Sequence, residues 1–410
     1  MPKIMHINCA VGGSTGKIIG DIADHASEQG WETLLCAPCA PGTNRNIRYF
    51  RTSFPGEQGL YRRLNYLYGF QYGFAPVSTA RIKRLIGKEK PDLVHVHCTN
   101  GFTVNVYSLL QLLKKRQIPT VITNHAEFFY TGGCPHAYDC DRWQTGCGGC
   151  PQVYSATGGK LGRDNTAAAW RRMKKAMSGF RYVVMTSVSP WVQQRASRSP
   201  VVAELPQCVV TNGVNTDTFA FRERLPLREK YAVANGTKVV FHPTASFTAA
   251  EQDPKGGRFV LELARRLADE NVLVLVAGKH PQDLAVPGNM VLLGRISDQK
   301  ELAEYYALAD VTVVTGKRET FNMPVAESLC CGTPVVGFEA GGPESIALEE
   351  YSRFVPYGDV DGLTQEVRRL LRQEHNKEEI AELGRKKYDA TGMAKGYLDV
   401  YRQLLSDRGV

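Results

Sequence analysis

The sequence predicts an α/β protein of two doubly wound parallel-sheet domains, and three observations carry that expectation. Short β-branched runs alternate with helix-length amphipathic segments, the pattern that layers helices on both faces of a parallel sheet. The alternation runs through the first half of the chain and restarts at Lys238. Between the two series Pro200 and Pro206 interrupt it, which puts the join near Ser199–Val214. The expected divisions are residues 1–205, residues 206–390 and a terminal stretch 391–410, whose amphipathic segment Met393–Leu405 returns to brace the first domain. Two such domains facing a cleft would bind a ligand at the carboxyl ends of their strands.

In order along the chain, Lys3–Asn8 reads as a buried strand, followed by the glycine-rich Cys9–Gly16 and a helix over about Lys17–Gln29 that Gly30 closes. Strands are expected at Thr33–Ala37, Leu93–His97, Thr120–Asn124 and Arg181–Thr186. The second series has strands at Lys238–His242, Val272–Ala277, Met290–Leu293, Val311–Thr315 and Pro334–Phe338, with a helix around Phe259–Asp269. Gly12 and Gly13 open the first helix, where backbone N–H groups and the helix dipole favour an anion. The stretch is neither a dinucleotide fingerprint nor a P-loop, and a tight turn without ligand is the alternative.

Of the 410 residues, 43% are hydrophobic and 22% charged, which excludes a disordered, collagen-like or coiled-coil chain. Apolar runs stop far short of the ~20 residues of a membrane span. The start carries no apolar leader segment, so the cytoplasm is the expected location. Net charge is +9, but residues 1–200 carry +14 and residues 201–410 carry −5. Arg45–Lys90 holds ten basic residues, two acids (Glu57 and Glu89), and Tyr61, Tyr66, Tyr68, Phe70, Tyr72 and Phe74. Such a stretch either contacts an anionic membrane or lipid-linked substrate, or is a solvated basic face over core aromatics. Nucleic acid is not expected, because no binding signature accompanies the charge and the second half is acidic.

The densest chemistry lies in Gly316-Lys-Arg-Glu319-Thr-Phe-Asn-Met-Pro-Val-Ala-Glu327, running on to Gly332. A strand ends just before it, Pro324 suits the first turn of a helix and Gly332 can end that helix. The amides of Phe321, Asn322 and Met323 then open a helix, where a diphosphate is stabilised by hydrogen bonds and dipole. Glu319 precedes the helix and Glu327 lies about one turn inside it.

The Glu319/Glu327 pair resembles the E-x7-E pattern of the retaining glycosyltransferases of family 4, which have the GT-B fold of two Rossmann-like domains. Ala309-Asp310-Val-Thr-Val-Val, Gly332-Thr-Pro-Val-Val and Thr211-Asn-Gly-Val-Asn-Thr-Asp-Thr-Phe219 are similar to that family's stretches as well. Lys90–His97 and Thr123–Pro151 resemble a bacterial subgroup of colanic acid, O-antigen and other surface-polysaccharide pathways. The resemblance implies hexosyl transfer from a UDP- or GDP-sugar to a saccharide or lipid-linked saccharide. It also implies retention of anomeric configuration and a place in the cytoplasm or on the inner face of the membrane.

Carried over residue by residue, it implies that Glu319 binds donor-sugar hydroxyls, Glu327 the ribose, and the amides of Phe321, Asn322 and Met323 the sugar and diphosphate. Lys255 would neutralise the leaving diphosphate, where a preorganised cation acts on developing charge. Gly12, Gly13 and Arg295 complete the donor-binding set. The family's Gly-Arg pair after the strand is replaced by His242-Pro-Thr, leaving one positive charge unassigned, with His242 a weak substitute. In the first domain His125 is the candidate catalytic residue, with Ala126 where the subgroup has Asp and Glu127 one place later. His95 and His97 share a strand face and either bind a metal or form a buried hydrogen-bonded pair. No carboxylate stands out as a nucleophile apart from Glu127, so same-face transfer is expected, with the leaving phosphate oxygen taking the acceptor proton. No D-x-D-like motif is present, so no metal cofactor is expected for catalysis.

Cys134, Cys140, Cys147 and Cys150, the last two a Cys-x2-Cys pair among glycines, make the insertion 134–150 a candidate structural zinc site. Free thiols or disulfides are the alternatives. Other functional readings are a GT-B polymerase or sugar-nucleotide isomerase, and a non-catalytic sugar-nucleotide-binding protein.

Overall fold

The computed structural model describes residues 1–39, 46–70, 72–159, 161 and 163–408; Arg45, which opens the basic stretch, lies outside the described residues. The strands form two sheets, every pairing of them parallel. The first contains β1 (Lys3–Ile7), β2 (Glu32–Ala37), β3 (Ile47–Arg51), β4 (Leu93–Val96), β5 (Thr120–Asn124), β6 (Val183–Ser187) and β7 (Gln207–Val209), in the order 3-2-1-4-5-6-7. The second contains β8 (Lys238–Ser246), β9 (Val272–Lys279), β10 (Met290–Gly294), β11 (Val311–Val314), β12 (Val335–Phe338) and β13 (Ser352–Val355), in the order 10-9-8-11-12-13. Parallel pairing requires crossovers, and helices supply them, so strands such as β4 and β11 are buried along their whole length, on both faces of the sheet. Two doubly wound Rossmann-like domains are what the alternation predicts.

The two compact units are Met1–Thr211 with Thr391–Val410, and Asn212–Ala390. The first division falls at Thr211, beyond the expected residue 205, because Gln207–Val209 adds to the first sheet beside β6. The terminal helix Ala390–Ser406 buries Met393, Tyr397, Leu398, Tyr401 and Leu404 against Ile4, Ile22, Leu93 and Val121 of the first unit. Its apolar positions recur every three to four residues, and that stripe is the face it buries. In the second unit, Val240, Val274, Val311 and Val336 of the sheet pack with Val260 and Leu263 of helix Gly257–Arg266 and Leu363 and Val367 of helix Val360–Arg372.

Strand order fixes where each sheet's chemistry can lie. In a doubly wound sheet, loops leaving neighbouring strands to opposite faces part at the switch point, which here falls between β1 and β4 in one unit and between β8 and β11 in the other.

Candidate functional site

At the second unit's switch point, two loops are tied together. The loop after β8 carries Asp253-Pro-Lys255-Gly256, and the loop after β11 carries Gly316–Asn322. The Thr315 hydroxyl donates to the Lys255 carbonyl at 2.8 Å and the Lys317 amide donates to the Pro254 carbonyl at 2.8 Å. Gly256 lies at φ +72°, and a Cβ there would sit 2.3 Å from the Thr315 carbonyl oxygen, so only glycine lets the loops approach this closely. Lys255 is thereby aimed at Glu319, its Nζ 2.7 Å from Oε1. Both ends of Glu319 are pinned as well. Its amide donates to the Ala340 carbonyl at 3.1 Å and its carbonyl accepts from the Gly342 amide at 2.8 Å.

The helix Met323–Cys330 follows, with Asn322 as N-cap at φ +74° and Pro324 in its first turn. Asn322 makes no capping bond, and its Oδ1 is buried without a partner. The first amides of a helix have no intrahelical acceptor, so Asn322 and Met323 open a site for an anion that the Asn322 side chain does not pre-empt. Phe321 is 3% exposed, its ring against Tyr388, which leaves its amide as the group that could meet a ligand. Glu327, half-buried, accepts from the Tyr306 hydroxyl at 2.8 Å. Tyr306 was not among the sequence candidates; its place in the helix Gln299–Leu308, among apolar neighbours, reads as core. Lys255, Glu319 and the helix opening thus form one cluster, with Glu327 a turn further on. Arg295 does not join it through any contact: it is exposed, just past β10, an outer strand separated from β8 by β9. His242 does not supply the missing charge. It is buried, its Nδ1 donates to the Val313 carbonyl at 2.8 Å, and burial lowers its pKa to about 4, so the ring is neutral.

In the first unit, Gly12 and Gly13 begin the helix Gly13–Glu28, which has no side-chain cap. A Cβ at either would meet nothing within 4 Å, leaving open space at the helix start. Gly16 instead is sterically required, since a Cβ there would lie 2.1 Å from the Val11 carbonyl oxygen. His125 follows β5, and its Nε2 is 3.0 Å from His97 Nδ1. His97 Nε2 in turn is 2.9 Å from His6 Nδ1. His95 bonds to the Tyr401 hydroxyl at 2.6 Å and the Thr123 hydroxyl at 2.7 Å. Desolvation lowers the pKa of all four imidazoles: His6 to about 3, His125 to about 4, and His95 and His97 well below the usual value. His95 and His97 are thus buried and hydrogen-bonded as one alternative expects, but to these other groups rather than to each other, and His6, on a neighbouring strand, is the member that sequence reasoning missed.

Glu127 is fully buried. It is paired with Arg195 at 2.7 Å, accepts from the Ala137 amide at 2.7 Å and from the Tyr130 hydroxyl at 3.0 Å. A carboxylate so enclosed holds a loop rather than attacking a sugar.

Cys134, Cys140, Cys147 and Cys150 line one small cavity with Gly132, Trp143 and Thr166. A tetrahedral zinc with Zn–S bonds of about 2.3 Å keeps every sulfur pair within about 4.6 Å. Among the described residues the only three ligand groups mutually within 4.8 Å are His6, His95 and His97, so the sulfurs do not converge to that geometry. Burial pushes the Cys134 and Cys147 thiols up to about 12.

Residues 12–218, half of the chain, match the family model described as Glycosyltransferase Family 4, and residues 242–373 match that described as Glycosyl transferases group 1. An N-acetyl-alpha-D-glucosaminyl L-malate synthase of Bacillus anthracis is 21% identical over 212 residues, 48% of this chain and 54% of its own. A D-inositol 3-phosphate glycosyltransferase of Xylanimonas cellulosilytica is 27% identical over 221 residues, 49% of this chain and 52% of its own. The chain thus matches these relatives over about half their length. Among solved structures, sucrose-phosphate synthase from Thermosynechococcus elongatus has a TM-score of 0.70 at 16% identity, covering 99% of this chain and 100% of its own. Anabaena HepE in complex with UDP and glucose has a TM-score of 0.65 at 15% identity, covering 98% and 100%. These likenesses bear on the fold, which they share with this chain.

Proposed function

The chain belongs to glycosyltransferase family 4, and from that membership we propose that it transfers a hexosyl group, with retention, from a UDP- or GDP-sugar to a saccharide acceptor. The observation that carries the reading is the Lys255–Glu319 pair, 2.7 Å apart, set beside an uncapped helix start. Lys255 can meet the diphosphate as charge builds on it, and the amides of Asn322 and Met323 can share that charge. Released from Lys255, Glu319 accepts from sugar hydroxyls. Glu327, oriented by Tyr306, accepts from the ribose. With Glu127 committed to Arg195, no carboxylate of the first unit is proposed as a nucleophile, and the leaving phosphate oxygen takes the acceptor proton. Catalysis proceeds without a metal, so full activity is expected in EDTA. HepE, a structural neighbour, was solved with UDP and glucose, which favours UDP as the first nucleotide to try.

The proposed acceptor is lipid-linked, in surface-polysaccharide synthesis at the inner face of the membrane. Its support is the helix Glu57–Tyr68 of the first unit, on which Leu60, Leu67 and Tyr68 are exposed along with Arg62 and Arg63. Apolar side chains among arginines suit an anionic bilayer. Among the described residues, no helix is long and apolar enough to cross a membrane, so such contact would be peripheral.

The test is nucleoside diphosphate release. Release that depends on acceptor, with product of unchanged anomeric configuration, is expected. Release at the same rate without acceptor, or an inverted product, contradicts the proposal.

A further inference from the structure

The loops leaving β1 and β4 carry one cysteine each, Cys9 and Cys98, and the two thiols share a hydrogen bond. We propose that Cys9 and Cys98 form a modification site, a dithiol that hydrogen peroxide closes to a disulfide and that an added thiol reopens. The pair lies in the first unit, apart from the Lys255–Glu319–Glu327 cluster of the second, so the proposal stands or falls independently of the glycosyl-transfer reading.

The backbone brings the sulfurs together before any chemistry. Strands β1 and β4 are parallel neighbours with Ile7 opposite Val96, so Cys9 and Cys98 each lie two residues past a register pair. Two further bonds carry the pairing beyond the strands. The His97 amide donates to the Ile7 carbonyl at 3.0 Å, and the Cys98 amide donates to Asn8 Oδ1 at 3.1 Å. Asn8 Nδ2 donates in turn to the Ala10 carbonyl at 2.8 Å and the Thr15 hydroxyl at 3.0 Å, so the residues on both sides of Cys9 are held. Neighbouring strands lie about 4.8 Å apart, inside the roughly 4.4–6.8 Å Cα separation that a disulfide spans. Closing the bond therefore takes side-chain rotation and leaves the sheet in place. Both loops leave the carboxyl edge of the sheet at its switch point, and Cys9 leads into the helix start at Gly12 and Gly13. The disulfide would fasten that segment to the end of β4.

The two thiols also differ from their neighbour. Cys9 and Cys98 are partly exposed, whereas Cys36, opposite Ile7 on β2, is buried. Burial, with Glu89 nearby, pushes the Cys36 thiol up to about 12. In the pair, the Cys98 S–H donates to Cys9; that bond lowers the Cys9 pKa and, together with burial, raises that of Cys98. One proton leaves early and the other late, as in any strongly coupled pair. The thiolate is the nucleophile, so Cys9 attacks first. Its sulfur displaces hydroxide from the peroxide and becomes a sulfenic acid, and the hydroxide takes a proton to leave as water. The Cys98 sulfur then attacks the Cys9 sulfur. The S–S bond forms as the S–O bond breaks, and the oxygen departs as water with the Cys98 proton. Two thiols lose two electrons in all, and one peroxide is reduced to two waters.

The experiment is a cysteine map of the folded full chain. The protein is reduced with dithiothreitol, desalted, exposed to hydrogen peroxide at pH 7, alkylated under denaturing conditions and digested without reduction for mass spectrometry. The expected result is a cross-linked pair of peptides holding Cys9 and Cys98, lighter than their sum by two hydrogens and lost on renewed reduction. Cys36 should remain available for alkylation when that cross-link is complete. In Cys98→Ser, dimedone should label Cys9 as the sulfenic acid, because no second thiol resolves it. The proposal is overturned if Cys9 and Cys98 stay alkylated while the exposed Cys39 is oxidised, or if Cys9 is recovered bonded to Cys39 or to any other cysteine. Label on Cys98 in Cys9→Ser, with none on Cys9 in Cys98→Ser, overturns the order of attack. Should either variant not fold, the wild-type map decides alone.

Discussion

Glu319 and Glu327 are eight residues apart, yet their partners differ in kind. Glu319 is paired with a cation that a diphosphate would draw away, whereas Glu327 is held by a buried tyrosine hydroxyl. Tyr306→Phe removes one hydrogen bond to a charged group, a loss of about 1.5–3 kcal/mol if fully expressed. It should weaken nucleotide binding roughly tenfold or more, read by titration calorimetry, with little change in kcat. Lys255→Ala should instead lower kcat more than it raises KM, because the cation is needed most as the leaving group gains charge. Glu127 gives the contrasting case. Removing one partner of a buried ion pair costs about 3–5 kcal/mol, so Glu127→Ala should lose stability of that order in urea unfolding. Stability unchanged beside lost activity would return Glu127 to the chemistry.

At the scale of elements, the site depends on loops that glycine brings into contact. Gly256→Ala would place a Cβ 2.3 Å from the Thr315 carbonyl oxygen at φ +72°, and Gly342→Ala one 2.4 Å from the Thr320 carbonyl carbon. Each should lower Tm and activity together, while Gly288→Ala, with open space around it, should change neither. Buried strands such as Val272–Lys279 were legible because they are continuous apolar runs, and the helix at Pro324 because proline and glycine bracket it. The edge strands Ile47–Arg51 and Ser352–Val355 were not, since half-exposed edges carry arginine and serine that break the pattern. Spacing drew attention to the four cysteines but could not say whether their sulfurs converge. The histidine row was half visible. His95 and His97 share a strand, but His6 reaches them only through the parallel pairing of β1 and β4, where His6 faces His95 in register. Pairing of that kind is set by topology and leaves no local signal.

At the scale of the whole molecule, four buried histidines and the half-buried His125, all held neutral, make stability depend on pH. Their folded pKa values lie below 6.5, at about 3 for His6 and about 4 for His125 and His242, and well below the usual value for His95 and His97. Between pH 6.5 and those values the unfolded chain binds protons that the folded chain does not. Stability is therefore full above about pH 7 and falls as pH drops, each histidine contributing about 1.4 kcal/mol per pH unit within the window. Urea unfolding at pH 7.5 and 5.5 should show the loss, and His242→Gln should reduce its slope. The terminal helix is equally a property of the whole, because it completes the first unit's core from the far end of the chain. Removing residues 391–410 should yield insoluble protein, read by the soluble fraction on expression.

The central claim, that the second unit's Lys255–Glu319–Glu327 cluster holds a nucleotide sugar, is tested most directly by thermal shift with UDP, GDP, ADP and their sugar conjugates. Ligand at a hundredfold excess over its Kd stabilises the native state by about 2.7 kcal/mol. A rise in Tm with UDP or GDP, enlarged by the attached sugar, lost in Glu327→Ala and stripped of the sugar's share in Glu319→Gln, is the predicted result. A shift that survives unchanged in both variants, or none with any nucleotide, would contradict the account.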